Sequence, residues 1–94
     1  MNRGDIMNKA KIEKINKVLA DYFEKNKSVK HVRALDMMDD FVDAGIFKKD
    51  YDRSGLPIRN VLRELDKNNQ LDLIPYVVVE RKERKRHWFF EPLK

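Results

Sequence analysis

Two segments of this chain combine basic side chains in patterns that could bind an anionic partner. The first runs from residue 81 to residue 86, where five of six side chains are cationic: Arg81, Lys82, Arg84, Lys85 and Arg86. On a short protruding segment, such groups can reach the phosphates or the minor groove of a nucleic acid. Cations also keep an exposed hairpin from pairing with other chains, but one or two are enough for that role. We therefore expect this segment to contact phosphate.

The second segment has polar residues at helical spacing. Its members occupy offsets 0, 1, 4 and 8, which adjoin on one helix face: Arg59, Asn60, Arg63 and Lys67. Arginine can bond a guanine edge through two hydrogen bonds, and asparagine can do the same with an adenine edge. The alternative is an ordinary solvated helix face, which is common in small domains.

Three amphipathic helices are predicted to position these residues. The first spans about residues 8–26, and its apolar stripe consists of Ile12, Ile15, Leu19, Tyr22 and Phe23. The second spans about 34–45, with Leu35, Met38, Phe41 and Val42 at helical spacing before Gly45. The third spans about 56–68, has Pro57 in its first turn, and buries Ile58, Val61, Leu62 and Leu65. Residues 1–7 offer little to bury and are expected to be flexible.

The C-terminal part is predicted to form a β-hairpin over about residues 72–91. Its first strand lies within 71–80, which contains three consecutive valines, and its second strand begins near His87. Alternation places Trp88 and Phe90 on one face of the hairpin and Phe89 on the other. A brief extended segment is predicted within residues 30–34, which precede the second helix.

Three helices followed by a hairpin, with the third helix beginning at a proline, resemble the winged helix-turn-helix superfamily. In that superfamily a glycine usually turns the recognition helix into the first wing strand, whereas Asn69 occupies the matching position here. The resemblance covers about residues 7–92 and is architectural. It implies a mainly α domain over residues 8–94 in which the third helix enters the major groove and the basic wing contacts the backbone.

Composition excludes several classes of site. The 94 residues suffice for one core, and the absence of cysteine excludes disulfides, cysteine-ligated zinc and a thiol nucleophile. Two histidines far apart in sequence do not suggest an enzyme, and no cofactor is expected.

Residues 50–55 resemble the start of a calcium-binding loop, but Val61 occupies the position where that loop needs its last carboxylate. Asp52 or Ser54 is expected to cap the third helix instead. No apolar run would span a membrane and no secretory signal is visible, which favours the cytoplasm.

Charge is distributed unevenly along the chain. The net formal charge is +5 over residues 1–35, −4 over 36–52 and +4 over 53–94, which together give the +5 of the chain.

From the order of elements, the two basic segments and the charge, we predict a small protein that binds double-stranded DNA, such as a regulator of transcription or of a mobile element. Two alternatives stay open: a winged-helix module that binds a protein partner through its acidic second helix or an apolar hairpin face, and an RNA-binding winged helix. Homodimerisation through the hairpin face or the first helix is a further expectation.

Overall fold

The computed structural model describes residues 9–49 and 55–93. In chain order these residues form α1 (Lys9–Lys25), β1 (Val32–Arg33), a 3-10 turn (Ala34–Met37), α2 (Met38–Asp43), α3 (Leu56–Lys67), a second 3-10 turn (Leu71–Leu73), β2 (Val77–Arg81) and β3 (Arg86–Phe90). The three strands make one antiparallel sheet in the order β1-β3-β2. The structure thus contains the three helices expected from the sequence, with a three-stranded sheet where a two-stranded hairpin was predicted.

One apolar core is built between the helices and one face of the sheet. From α1 it receives Ile12, Ile15, Leu19 and Phe23, and from α3 it receives Ile58, Val61, Leu62 and Leu65. These residues recur every three or four positions, so each helix turns one continuous stripe inward while its charged residues stay in water. The apolar stripe predicted for α3 is confirmed, and that of α1 is confirmed except for Tyr22, which is half-buried.

The second helix differs from the single helix predicted over residues 34–45. The chain pairs in β1 up to Arg33 and then tightens into the 3-10 turn, so the α-helical part begins only at Met38. This change in winding turns Met37 into the core, while Leu35 and Val42 remain half-buried. Burial of Met37 was missed because an α-helical repeat was assumed from residue 34 onward.

The strand predicted from residue 71 onward begins only at Val77. Residues 71–73 form the 3-10 turn instead, and Ile74 inserts into the core immediately after it. Asn69 has a φ of 58°, the left-handed conformation expected for the residue that ends this helix. After this turn the chain first buries Ile74 in the core, and only then does it pair with β3. The strand β2 therefore begins later in the sequence than predicted.

Strand alternation separates the two faces of the hairpin as predicted. Trp88 and Phe90 point to the core and are 5% and 0% exposed, while Phe89 lies half-buried on the outer face. On that outer face the Phe89 ring lies 4.3 Å from the ring of His31. The short β1 pairs only with Phe89 and Phe90, so it covers one end of β3 and stops.

Several sequence-based predictions fall outside the described residues. These are the flexible N-terminal segment 1–7, and the loop residues Asp52 and Ser54 proposed to cap α3. Within residues 9–49 and 55–93, no helix is long and apolar enough to cross a membrane.

Candidate nucleic-acid interface

A cleft of about 500 Å³ lies between α3, the 3-10 turn after β1, the β2–β3 turn and β3. We call it the basic cleft. It is lined by five of the cationic residues predicted from the sequence: Arg59 and Arg63 of α3, Arg84 and Lys85 of the turn, and Arg86 of β3. Cations more than twenty residues apart in sequence are therefore neighbours around one concave surface.

The cleft forms here because the sheet is incomplete beside α3. The strand β1 ends at Arg33, and among the described residues no other strand pairs with residues 86–88 on that side. The space that a longer β1 would fill is bounded by α3 and lined by the first residues of β3. The early end of β1 thus contributes to the opening beside α3.

The other four predicted residues do not line the cleft. Asn60 and Lys67 are exposed on α3, and Asn60 accepts a hydrogen bond from Arg63 at 3.2 Å. On the hairpin, Lys82 Nζ lies 3.8 Å from Glu80 Oε1, and Arg81 donates hydrogen bonds to Asp66 of α3. The structure therefore separates the predicted set into a group around the cleft and a group on the surfaces beside it.

Asp66 of α3 binds two arginines of the hairpin. Its carboxylate accepts two hydrogen bonds from Arg81, at 3.0 and 3.1 Å, and a third from Arg86 at 2.7 Å. Arg81 and Arg86 are directly opposite each other in the β2–β3 register, so one carboxylate holds both strands where the turn begins. The hydrogen bonds from Arg81 and Arg86 lower the pKa of Asp66 below its ordinary value.

The Asp66 cluster was missed in the sequence, where Arg81 and Arg86 were assigned only to an external phosphate. No local pattern marks the contact, because Asp66 lies 15 and 20 residues from its partners. With its side chain only 14% exposed, Asp66 neutralises part of the positive charge at the base of the turn. Arg86 both contacts Asp66 and lines the cleft.

Two further residues of the cleft were also missed. Arg33, at the end of β1, makes two hydrogen bonds with Asp36, at 2.9 and 3.2 Å, and this contact raises the pKa of Arg33. His87 follows Arg86 on β3 and lines the same opening. The extended segment around Arg33 was foreseen, but its partner strand was not, and that pairing is what brings Arg33 to the cleft.

The charge of the cleft is only partly compensated inside the protein. Asp36 pairs with Arg33 and Asp66 pairs with Arg86. By contrast, within residues 9–49 and 55–93, no carboxylate forms an ion pair with Arg63, Arg84 or Lys85. Among the residues that the structure describes, no acidic side chain lines the opening. The cleft therefore concentrates positive potential at a surface open to solvent.

The acidic residues of α2 face a different surface. Asp40 and Asp43 line a groove with Asp21 of α1, and none of these three carboxylates lines the basic cleft. In the described part of the chain, no group of three or more acidic or histidine side chains is arranged to hold a metal ion. None of the described acidic residues of the segment 36–52 lines the basic cleft, although Asp36 pairs with Arg33, which does.

Comparison of the chain with protein-family models, with curated proteins and with solved structures finds no match.

Proposed function

We propose that this protein is a winged-helix protein that binds double-stranded DNA, with α3 in the major groove and the β2–β3 hairpin as a wing on the phosphate backbone. The observation that carries this proposal is the shared cleft, in which cations from α3 and from the β2–β3 turn face the same side of the molecule. A helix and a protruding turn that present cations together can contact base edges and phosphates at once. The order of three helices and an antiparallel sheet also supports it.

The two parts of this surface have different roles in the proposal. Arg63 and Asn60 lie on the exposed face of α3 and are suited to base edges, since both side chains can form paired hydrogen bonds. Arg84 and Lys85 are exposed at the turn and are suited to phosphates, which carry no sequence information. A regulator of transcription or of a mobile element, acting in the cytoplasm, is the role in which both kinds of contact would be used.

The test is a fluorescence anisotropy titration of random duplex DNA at a series of salt concentrations. Replacing Arg84 and Lys85 together by alanine should weaken binding and reduce the slope of log affinity against log salt by about 2, because each phosphate contact contributes roughly 0.9. Arg86 is left in place because its contact with Asp66 also supports the hairpin.

The matched control is the double substitution Lys9→Ala with Lys14→Ala. It removes the same charge from α1, which contributes no residue to the cleft, and should leave the slope nearly unchanged. Equal losses in the two double variants would show that only overall charge matters and would refute the proposed interface.

A protein-binding role is the second candidate. The groove between α1 and α2 is lined by Asp21, Asp40 and Asp43 and could receive a basic partner. Duplex RNA and single strands belong in the same titration, because an RNA-binding winged helix would use the same cations. Preference for duplex RNA would replace the DNA proposal by the RNA one, and no binding to any nucleic acid would favour the acidic groove.

A further inference from the structure

The basic cleft is concave, and its cations converge on one volume instead of spreading over a flat face. They come from the end of β1, from α3, from the β2–β3 turn and from β3. Its volume of about 500 Å³ lies within the range of small-molecule sites, roughly 300–1,000 Å³. A surface that served only the outside of a duplex would not need this enclosure.

The backbone of β3 supplies a donor to the same space. Lys82 N–H donates to Lys85 O at 2.8 Å, and Glu91 N–H donates to Tyr76 O at 2.9 Å. Because hydrogen-bonded pairs alternate along an antiparallel ladder, the residue pairs 80/87 and 78/89 are hydrogen-bonded as well, and the N–H of Arg86 points away from β2. The β1–β3 register ends at residues 33/89, so Arg86 lies beyond the paired residues, at the edge of β3 that lines the cleft.

The unpaired charge in the cleft indicates the class of ligand. Arg63, Arg84 and Lys85 have no ion pair with a described carboxylate, and all three are exposed around the opening. A single phosphate group carries only about −1.5 to −2 charges at neutral pH, which is less than the three positive charges of these side chains. A chain of linked phosphates places several negative charges within one small volume, and its oxygens accept hydrogen bonds from guanidinium, ammonium and backbone N–H groups alike.

We propose that the basic cleft binds a compact polyphosphate group, either free or attached to a nucleoside. Arg63, Arg84 and Lys85 hold its charge, while the backbone N–H group of Arg86 donates from the edge of β3. This inference goes beyond duplex binding and does not need it. If the duplex proposal is also correct, the two ligands compete, because they use the same side chains.

Trp88 reports on this site directly. It is the one tryptophan of the chain, it lines the cleft, and the Arg86 guanidinium lies 5.5 Å from its ring centroid. Titration with inorganic tripolyphosphate should change its emission in a saturable way, and orthophosphate should bind at least about tenfold more weakly. An absent or linear response, or equal affinities for the two anions, would overturn the proposal.

Adenosine triphosphate distinguishes the two sources of the group. Affinity equal to that of tripolyphosphate means that the phosphate chain alone is recognised, whereas tighter binding means that the nucleoside adds contacts. Both results support a polyphosphate site. Binding of adenosine triphosphate that orthophosphate competes away at equal concentration would contradict it.

Variants decide whether the cleft is the site. Arg63→Ala with Lys85→Ala should weaken tripolyphosphate binding by at least about tenfold, because two charge-assisted contacts are lost. The control Lys9→Ala with Lys14→Ala should change it little, and circular dichroism verifies that both variants are folded. Equal weakening in both would mean non-specific attraction and would refute the cleft. A duplex titration run in parallel separates the two proposals, since either ligand can bind when the other does not.

Discussion

Two glycines share a left-handed backbone but have different surroundings. Gly45 has a φ of 78° and an added Cβ would meet nothing within 4 Å, whereas at Gly55, with a φ of 79°, it would lie 2.6 Å from Leu35 Cβ. Gly55 precedes the first residue of α3, and Leu35 lies in the 3-10 turn that lines the cleft. Its missing side chain therefore lets α3 approach that turn.

Replacing each glycine by alanine tests this contact at the scale of one residue. Gly45→Ala should cost about 1–2 kcal/mol for the left-handed conformation alone. Gly55→Ala should cost roughly 1–3 kcal/mol more, because the added methyl group overpacks against Leu35. Urea denaturation of both variants measures the difference, and equal losses would mean that the turn moves aside freely.

At the scale of elements, Asp66 connects α3 to the hairpin. Packing alone places one face of the sheet on the helices, since Trp88 and Phe90 are buried there. The end of β2 and the start of β3, next to the turn, lie outside the core. The contacts of Asp66 with Arg81 and Arg86 hold these two strand ends near α3. The carboxylate thereby helps to set the distance between the two sides of the basic cleft.

Asp66→Asn should lower the free energy of unfolding at pH 7 by a measurable amount. Because the hydrogen bonds from Arg81 and Arg86 lower the pKa of Asp66 in the folded protein, its contribution is complete above the unfolded-state pKa of about 3.9. It is lost as the pH falls through the lower folded-state pKa. The difference between wild type and variant should therefore shrink at acidic pH in denaturation curves.

Asp21→Asn is the control for that experiment. Asp21 lies 3.8 Å from Lys17 in an exposed pair on α1, and such pairs contribute little to stability. The control should show almost no loss at either pH. A loss for Asp66→Asn that stays constant from neutral to acidic pH would contradict the ion-pair explanation.

At the scale of the whole molecule, two surfaces of the described residues differ in charge. One contains the basic cleft between α3 and the hairpin, and the other contains the groove lined by Asp21, Asp40 and Asp43. This division would orient the protein as it approaches a polyanion, with the cleft leading. If the proposed DNA interface is correct, α3 and the turn should have separable effects on binding to duplex DNA.

Arg63→Ala should reduce sequence selectivity, whereas Arg84→Ala with Lys85→Ala should weaken all sequences about equally. A paired arginine contact to a base contributes about 1–3 kcal/mol of discrimination, while a phosphate contact contributes none. Competition between a selected duplex and random duplex DNA measures both effects. If Arg63→Ala left the sequence selectivity unchanged, the proposed contact between Arg63 of α3 and a base would be wrong.

The local sequence pattern was sufficient to predict burial and backbone conformation where they depend on a single helix, turn or strand. The stripe of α3, the left-handed Asn69 and the inward orientation of Trp88 and Phe90 all follow from spacing within a few residues. The prediction was wrong where elements meet. Residues 34–37 wind as a 3-10 turn after pairing in β1, and residues 71–73 do not join the sheet.

The amino-acid sequence by itself determined that the chain has three amphipathic helices, a C-terminal hairpin and two groups of cations, within residues 59–67 and 81–86, because periodicity and composition act locally. Only the tertiary structure decided that those cations surround one cleft, that β1 stops short beside it, and that Asp66 engages Arg81 and Arg86. These contacts join residues distant in sequence. Their partners are selected by the packing of the whole core, which no short window of sequence contains.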